Sequence, residues 1–546
     1  MKETETRHWW ALAAIALTTL MIGLDSTVLN VALPTLATSL HATTGQLQWF
    51  SNAYNLTFAA ALLTAGLLGD RLNRKWLLVA ATAVFGAASA ACGLSSSPAE
   101  LITARAFQGV SAAFLTALSV AMVISLFADK NRARALGIWA ASTALGLPLG
   151  PIVAGLILQH FSWGWVFMIN VPIAVLAVIA LAIFAPSVRA TNRKKGLDVP
   201  GIVLSGIGLV GLTYAVTVAG EKGWGAAETV WTLVGSGVAL LLFVLWELRL
   251  ARRPEATRLV QLPLFLVRNF TLGSILAAVI LFTWFGVLFL VPQYFQEVLG
   301  ADTIGSALRL LPMVVAFLVA GLTGDRIVKA IGAKVTILIG MIGLVAALGL
   351  AAYAHVGTPY WYTAIWLAVF GAASGIALPL AMDYALGVLP PEHGGVGTAM
   401  SQTIRQMGGV LGVAALGTIL NTVYQSHVHT AGLTAPLRQT VLSGVAGGNT
   451  VAAQLHDHAL ALSAQSAFTS GMRLTLAISA AVTLASIVAV FFVTTQKEAE
   501  AEEGETEDDA IEGTTMAAAA RRGEGRHRNY QTRRSRPGAN HRTERS

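Results

Sequence analysis

The chain alternates between apolar runs of about 20 residues and short polar segments over most of its length. A run of that length can cross the hydrocarbon core of a bilayer as an α-helix, because each residue advances the helix by about 1.5 Å. In windows of about 19 residues, the pattern predicts fourteen transmembrane helices. They lie near residues 9–33, 49–69, 76–95, 101–127, 135–158, 165–185, 200–219, 230–249, 270–292, 304–323, 335–354, 361–387, 398–421 and 472–493. The predicted fold class is therefore an all-α integral membrane protein.

Basic residues concentrate in one of the two sets of loops between these helices. If the N-terminus is cytoplasmic, the opposite loops carry only Lys222 and Arg438. The first five cytoplasmic loops then hold Arg71, Arg74, Lys75, Lys130, Arg132, Arg134, Arg189, Arg193, Lys194, Lys195, Arg249, Arg252, Arg253, Arg258, Arg268, Arg326, Lys329 and Lys334. Because cytoplasmic loops carry the excess of Lys and Arg, both termini are predicted to be cytoplasmic.

A short internal repeat divides the chain. Residues 66–72 read GLLGDRL and residues 321–327 read GLTGDRI, in the second and the tenth predicted helix. Transporters built from such repeats place two related halves around a central cavity. The predicted arrangement is 6+2+6 helices. It comprises a six-helix bundle (1–186), two central helices with their loops (187–268), a second bundle (269–495) with a long outer loop (422–470), and a disordered cytoplasmic tail (496–546).

The composition limits the chemistry. Hydrophobic residues make up 55% of the chain and charged residues 12%, against about 25% charged in soluble domains. The net charge of +8 is assigned to cytoplasmic loops and tail, so no nucleic-acid partner is expected. With Cys92 as the one cysteine, neither an internal disulfide nor a cysteine metal cluster can form. No metal site is expected at the outer-loop histidines His427, His429, His456 and His458.

Several motifs resemble those of the major facilitator superfamily, and within it the fourteen-helix drug:proton antiporters. The motifs are LDSTVLNVALP (24–34), GLLGDRLNRK (66–75), LITARAFQGVSAA (101–113), GLPLGPIVAG (146–155), FLVPQYFQEVLG (289–300) and TIRQMGGVLGVAALG (403–417). Asn73 replaces the second glycine of the second motif, and we expect it to retain the turn because Asn tolerates positive φ. The fourth motif is associated with exporters. The resemblance implies coupling to H⁺ with no other cofactor.

Three ionisable residues in apolar runs are candidates for proton coupling. Asp25 lies about 16 residues into the first helix and Arg105 about four residues into the fourth, which runs the other way, so both lie in the outer part of the membrane. The resemblance implies that these helices are neighbours, so the two residues could pair. The alternative is a permanent ion pair that only locks two helices. Asp383 is a second candidate proton site or an interfacial residue, and Glu297 is expected to face water.

Two further groups of residues fit conformational change. A gating cluster at the cytoplasmic helix ends, with a plain positive-inside anchor as the alternative, comprises Gly66, Asp70, Arg71, Arg74, Lys75, Asp325 and Arg326. In the exporter motif, glycines would let another helix approach closely and prolines would bend the fifth helix. Close sliding contact between the halves would suit alternating access, and ordinary small-residue packing is the alternative. These residues are Gly146, Pro148, Gly150, Pro151 and Gly155.

Substrate contacts are expected from aromatic faces and a few polar groups, which suit flat amphipathic molecules. The candidates, for which membrane-interface or packing roles are the alternative, are Asn30, Gln48, Asn52, Tyr54, Asn55, Trp139, Trp284, Phe285 and Phe289.

The sequence therefore predicts a monomeric, proton-motive-force-driven exporter of drugs or antibiotics in a bacterial plasma membrane, in contact with its lipids. It would confer antibiotic resistance, which in a producing organism would be self-resistance. No phosphate-binding loop G-x-x-x-x-G-K-[ST] and no catalytic constellation occur, so neither ATP hydrolysis nor an enzyme is expected. Export of an amino acid, a siderophore or another small metabolite is the alternative within this fold. A membrane receptor or enzyme that transports nothing is the alternative from another class.

Overall fold

The structure, a computed structural model, describes residues 2–69, 72–127, 129–187, 198–252, 260, 262–387 and 394–492. Some side chains within these helices are not described, including those of Pro148 and Asp325. The predicted tail at 496–546 lies outside the described residues.

The described residues are helical almost throughout. The first group of helices is α1 (Lys2–Ser39), α2 (Thr44–Gly69), α3 (Arg74–Gly93), α4 (Pro98–Leu126), α5 (Asp129–His160), α6 (Trp165–Met168) and α7 (Asn170–Phe184). A central pair follows, α8 (Val199–Lys222) and α9 (Ala227–Ala251). The last group is α10 (Arg268–Gln293), α11 (Thr303–Arg309), α12 (Leu311–Ile331), α13 (Ala333–Ala351), α14 (Tyr360–Leu386), α15 (Gly394–His427), α16 (Ala435–Leu442), α17 (Val445–Leu455) and α18 (His458–Phe491). A 3₁₀-helix precedes α10 at Leu262–Leu266, and a π-helix follows it at Tyr294–Val298.

Twelve spans within the described residues are long and apolar enough to cross a membrane. The two remaining predicted segments, 49–69 and 135–158, lie on α2 and α5, which are not among the twelve. Several side chains of these two helices are outside the described set. We call the side at which α1 begins the N-side and the side at which it ends the opposite side.

The start of α4 is fixed by local hydrogen bonds. Ser97 Oγ accepts from the backbone N–H of Glu100 at 3.4 Å, and the Glu100 carboxylate accepts from the backbone N–H of Ser96 at 2.8 Å. Pro98 occupies the first turn, where its missing N–H costs no hydrogen bond. These caps place Arg105 two turns into the helix.

Asn73 begins α3 in a different way from the one expected. Its φ is −67°, so the positive φ of a glycine is not used. Its Oδ1 accepts from the backbone N–H of Lys75 at 3.1 Å, and its Nδ2 donates to Ser187 Oγ at 2.6 Å. Asparagine therefore serves here as a helix cap.

The helices form two packed groups with the central pair beside them. In the first group α1 packs on α5 and α7, and α4 on α2 and α3. In the second, α10 packs on α14 and α15, α12 and α13 on α14, and α18 on α13 and α15. The two groups contact each other at two places, where α2 packs on α15 and where α5 packs on α11. Helix α8 contacts both α2 and α15, and Thr418 Oγ1 donates to the carbonyl of Val216 at 2.8 Å.

The segment 422–470 is mostly helical, and the expectation of a long loop there was wrong. Helix α15 continues to His427, α16 and α17 fill most of the connection, and α18 begins at His458 rather than near residue 472. The segment is rich in alanine, the best helix former. Tyr424 Oη donates to the carbonyl of Val441 at 2.9 Å and so ties α16 to α15.

Candidate functional site

Asp25 is fully buried on α1 at the centre of a hydrogen-bonded cluster. Its Oδ2 accepts from Arg105 Nη1 at 2.6 Å. Its Oδ1 accepts from Gln108 Nε2 at 2.8 Å and from Asn170 Nδ2 at 2.9 Å. The carboxylate thus has one charged and two neutral donors, which come from α4 and α7. The structure brings together Asp25 and Arg105, the two residues that the sequence places at similar depth.

Arg105 has further partners that do not depend on Asp25. It is buried, and its Nε donates to the carbonyl of Phe50 at 3.1 Å, while Nη1 also lies 2.7 Å from Gln108 Oε1. The guanidinium carbon is 4.3 Å from the ring centroid of Tyr54, within cation–π range. A buried ion pair needs such additional bonds because the attraction between its charges rarely offsets their desolvation.

Gln108 links the ion pair to α3. Its Nε2 also donates to Ser89 Oγ at 2.8 Å, and the thiol of Cys92 lies 3.6 Å from its Oε1. Sequence reasoning missed Gln108 and Asn170 as members of the cluster. Gln108 could have been found, because it lies three residues after Arg105 on the same helix face. Asn170 offered a weaker signal, as a polar residue near the start of a predicted helix.

Two glycines of the exporter motif let α5 pack closely on α1 beside Asp25. A Cβ atom added at Gly146 would lie 2.7 Å from the Cα of Gly23, and one added at Gly150 would collide with Thr27 Oγ1. Both glycines therefore contact a helix of their own group and not the other half of the molecule. The expected close approach of another helix is confirmed at these two positions, and the helix concerned belongs to the first group.

Gly155, one turn further along α5, does reach the second group. A Cβ atom added there would lie 3.0 Å from the Cβ of Ala307 on α11. Pro151 is buried, and the side chain of Pro148 is not described. The motif thus combines packing inside the first group with one contact across to the second.

A cavity of about 190 Å³ lies between the two groups of helices. It is lined from α1, α2, α4 and α5 on one side and from α10, α12, α14 and α15 on the other. Its walls carry six aromatic rings, from Tyr54, Phe58, Trp139, Trp284, Phe285 and Phe317. Trp284 stacks on Phe370 with the ring centroids 5.7 Å apart.

Four of the nine predicted substrate residues line this cavity, namely Tyr54, Trp139, Trp284 and Phe285. The other five, Asn30, Gln48, Asn52, Asn55 and Phe289, are buried and are not among its lining residues. Gln48, Asn52 and Asn55 share one face of α2. That face meets α15, where Gln406 Nε2 donates to Asn55 Oδ1 at 3.3 Å. Asn55 is thus bonded across the contact between α2 and α15, whereas both amide atoms of Asn52 and the Oε1 of Gln48 are buried without a hydrogen-bond partner among the described residues.

Arg405 lines the cavity and was missed as a site residue. Its Nε has no hydrogen-bond partner among the described residues. The preceding turn contributes Gln402, whose Oε1 likewise has none within the part of the chain that the structure describes. The signal was available, because a charged residue inside an apolar helix is a functional candidate by default.

The gating cluster is described only in part. Asp70 and Arg71 lie outside the described residues, and so does the side chain of Asp325. Arg326 is exposed on α12, which continues beyond the repeated motif to Ile331.

The remaining gating residues lie at the junction between α2 and α3. Arg74 Nε donates to the carbonyl of Gly69 at 3.1 Å, which places a cation at the C-terminus of α2. Lys75 Nζ is 5.4 Å from the ring of Trp76. No atom of the described residues outside α2 lies within 4 Å of the place where a Cβ atom of Gly66 would be.

The other two acidic candidates are separate from Asp25. Asp383 is exposed near the end of α14 and is not among the described contacts of Asp25. Glu297 is half-buried, and its carboxylate accepts from Asn449 Nδ2 of α17 at 2.9 Å. Glu297 lines a cavity of about 840 Å³ and is covered on one side by the helical connection between α15 and α18.

The sequence profile of the Major Facilitator Superfamily matches residues 15–413 of the chain. The chain belongs to this superfamily. As the motifs led us to expect, it is a membrane transporter with the all-α fold of the superfamily, and it is not an enzyme.

Similar proteins include efflux pumps. The chain is 33% identical over 494 residues to the multidrug efflux pump LfrA of Mycolicibacterium smegmatis, which covers 89% of this chain and 96% of that protein. It is 31% identical over 414 residues to the tetracenomycin C resistance and export protein of Streptomyces glaucescens, with 76% of each chain covered. The protein is thus an efflux transporter related to drug and antibiotic exporters, consistent with the fourteen-helix family.

A solved structure of similar fold is a bacterial homologue of the human lysosomal transporter Spinster, in an inward-facing and unoccupied conformation. The TM-score is 0.62 at 16% sequence identity, covering 89% of this chain and 97% of that one. At this identity the similarity concerns the fold alone.

Proposed function

We propose that the protein uses the proton-motive force to export amphipathic drugs or antibiotics across a bacterial plasma membrane, conferring resistance to them. The observation that carries this proposal is the position of the Asp25 cluster. The buried carboxylate of Asp25 pairs with Arg105, whose guanidinium lies against the ring of Tyr54. Tyr54 in turn lines an aromatic cavity between the two groups of helices. The relationship to drug and antibiotic exporters supports the choice of substrate.

Asp25 is the proton carrier in this proposal, rather than half of a permanent lock. Protonation would remove the attraction between Asp25 and Arg105, and leaving a buried charge uncompensated is ordinarily costly. Arg105 would keep its hydrogen bonds to Phe50 and Gln108 and its contact with the Tyr54 ring. Because these partners remain, the neutral state of Asp25 is accessible and the pair can change charge during a cycle.

Alternating access would then open and close the two ends of the cavity. On the opposite side, Gln296 Nε2 donates to the carbonyl of Val31 at 3.0 Å, and Gly155 packs on Ala307. These contacts join the two groups near the far ends of α1 and α5. The cavity of about 190 Å³ is smaller than the roughly 300–1,000 Å³ of drug-sized binding sites, so it would widen as substrate enters.

We further propose that α2 and α5 cross the membrane together with the twelve apolar spans, in a 6+2+6 arrangement with both termini cytoplasmic. The basic residues of the N-side loops support this orientation. One inward proton supplies about 2.3 kcal/mol per 100 mV and about 1.4 kcal/mol per pH unit. Together these could sustain a several-hundredfold gradient of a neutral substrate at one proton per molecule.

The test is drug-stimulated proton movement in proteoliposomes, with tetracenomycin C and a panel of other antibiotics as substrates. The wild type should release protons when substrate is added, and Asp25→Asn should lose this response. Glu228→Gln, which alters a half-buried carboxylate on α9 that pairs with Lys222 and does not line the cavity, is the matched control and should retain it. If Asp25→Asn couples substrate to protons as well as the wild type does, the proposed mechanism is wrong.

A further inference from the structure

We infer that the transported molecule is a planar aromatic anion and that Arg405 binds its negative group. The inference rests on the proposed function, because it assigns the substrate class of the cavity between the two groups of helices. It concerns the second group, whereas the proton site lies in the first.

The lining of the cavity is positively charged. Among the described residues that line it, Arg405 alone carries a permanent charge, and none is an aspartate or a glutamate. Asp25 does not balance this charge, because its carboxylate already accepts hydrogen bonds from Arg105, Gln108 and Asn170 within the first group. The field inside the cavity is therefore positive at the α15 wall.

Arg405 is half-buried, and its buried Nε has no hydrogen-bond partner among the described residues. No ion pair or hydrogen bond to its guanidinium occurs within the described part of the chain. A buried polar atom without a partner is unfavourable unless a ligand or water supplies one. A guanidinium presents a planar fork of donors that matches a carboxylate, sulfonate or phenolate oxygen.

The aromatic walls of the cavity favour a flat molecule. Trp284 and Phe317 lie with their ring centroids 5.0 Å apart and offer flat surfaces next to α15. Aromatic faces alone would also attract an organic cation. Here a cation would share the cavity with Arg405 and be repelled by it, whereas an anion gains both the stacking and the ion pair. The combination selects an aromatic ring that bears a negative group.

Binding of three naphthalene derivatives to the purified protein tests this directly, since they share one ring system and differ in charge. We would measure 2-naphthoate, its neutral methyl ester and the 2-naphthyltrimethylammonium cation by equilibrium dialysis, without any proton gradient. The wild type should prefer the anion to the cation by about tenfold or more. Arg405→Gln should weaken binding of the anion by about tenfold to a hundredfold and leave the ester unchanged. Arg405→Lys should retain part of the preference.

Arg473→Gln is the matched control, because Arg473 is exposed on α18 and donates to the carbonyl of Ala352 outside the cavity. It should bind the three compounds as the wild type does. The inference is overturned if the wild type binds the cation as well as the anion, or if Arg405→Gln leaves the preference intact. The wild-type comparison decides the matter even if Arg405→Gln does not fold. Because no proton gradient is applied, a negative result in these binding measurements does not affect the proposal of proton coupling. Conversely, if Asp25→Asn retains coupling, the charge preference of the cavity is not affected.

Discussion

The guanidinium of Arg105 lies against the ring of Tyr54, 4.3 Å from its centroid, and the same ring lines the cavity between the two groups of helices. Tyr54 is therefore a wall shared by the buried ion pair and the cavity. A substrate that displaces this ring would alter the surroundings of Arg105 and, through it, of Asp25. We regard this contact as the shortest route between substrate and proton.

Tyr54→Leu should uncouple the two, because it removes the ring on which Arg105 rests, a contact of about 0.5–2 kcal/mol. Drug-stimulated proton release in proteoliposomes should fall roughly tenfold, the equivalent of about 1.4 kcal/mol. Tyr54→Phe is the matched control, since the Tyr54 hydroxyl has no hydrogen-bond partner among the described residues and only the ring should matter. Equal loss in both variants would argue against a role for the ring.

Asn170 offers a test of the proton site that preserves its charges. Asn170→Leu removes one of the two neutral donors to Asp25 Oδ1 and leaves that oxygen with Gln108 alone. Because both charges of the ion pair remain, drug-driven proton release should fall by about tenfold rather than be lost. Ser89→Ala removes a bond to Gln108 rather than to Asp25 and should lower proton release less. Undiminished proton release in Asn170→Leu would contradict the assignment of Asp25 as the proton carrier.

The glycines of α5 should be sensitive to a single methyl group where they face α1. Gly150→Ala places a Cβ atom against Thr27 and 2.9 Å from the carbonyl of Leu24, so we expect destabilisation by about 1–3 kcal/mol. Gly237→Ala on α9 meets nothing within 4 Å and should be neutral, or stabilising by about 0.5–1 kcal/mol. Thermal unfolding in detergent would measure both. Equal melting temperatures would show that α5 and α1 are not closely packed there.

The depth of charged residues was readable from the sequence, but the direction in which side chains point was not. Asp25 and Arg105 could be matched because each is a charge at a countable distance from a helix end. The face of α2 could not be assigned, because a helix that is apolar nearly all round has no period that marks its exposed side. Gln48 and Asn55 therefore looked like cavity residues although they face α15.

The composition led to a wrong prediction for the connection between α15 and α18. Its small and polar residues suggested a solvated loop, yet alanine favours helix and the segment packs against the π-helical turn that carries Glu297. Arg405 was missed although a charged residue inside an apolar helix indicates a functional site by default.

The contact between Gly155 and Ala307 allows a test of movement between the two groups of helices. Their Cβ positions would be 3.0 Å apart, so an increase of about 0.5 Å would bring them into the range of about 3.5–4.5 Å that a disulfide needs. Since Cys92 is the one cysteine of the chain, Cys92→Ser supplies a background in which only the introduced pair can react. Gly155→Cys with Ala307→Cys should form a disulfide on oxidation, stop export nearly completely, and recover on reduction. Each single variant should export equally well before and after oxidation. Undiminished export by the fully cross-linked protein would mean that the opposite side need not open between α5 and α11.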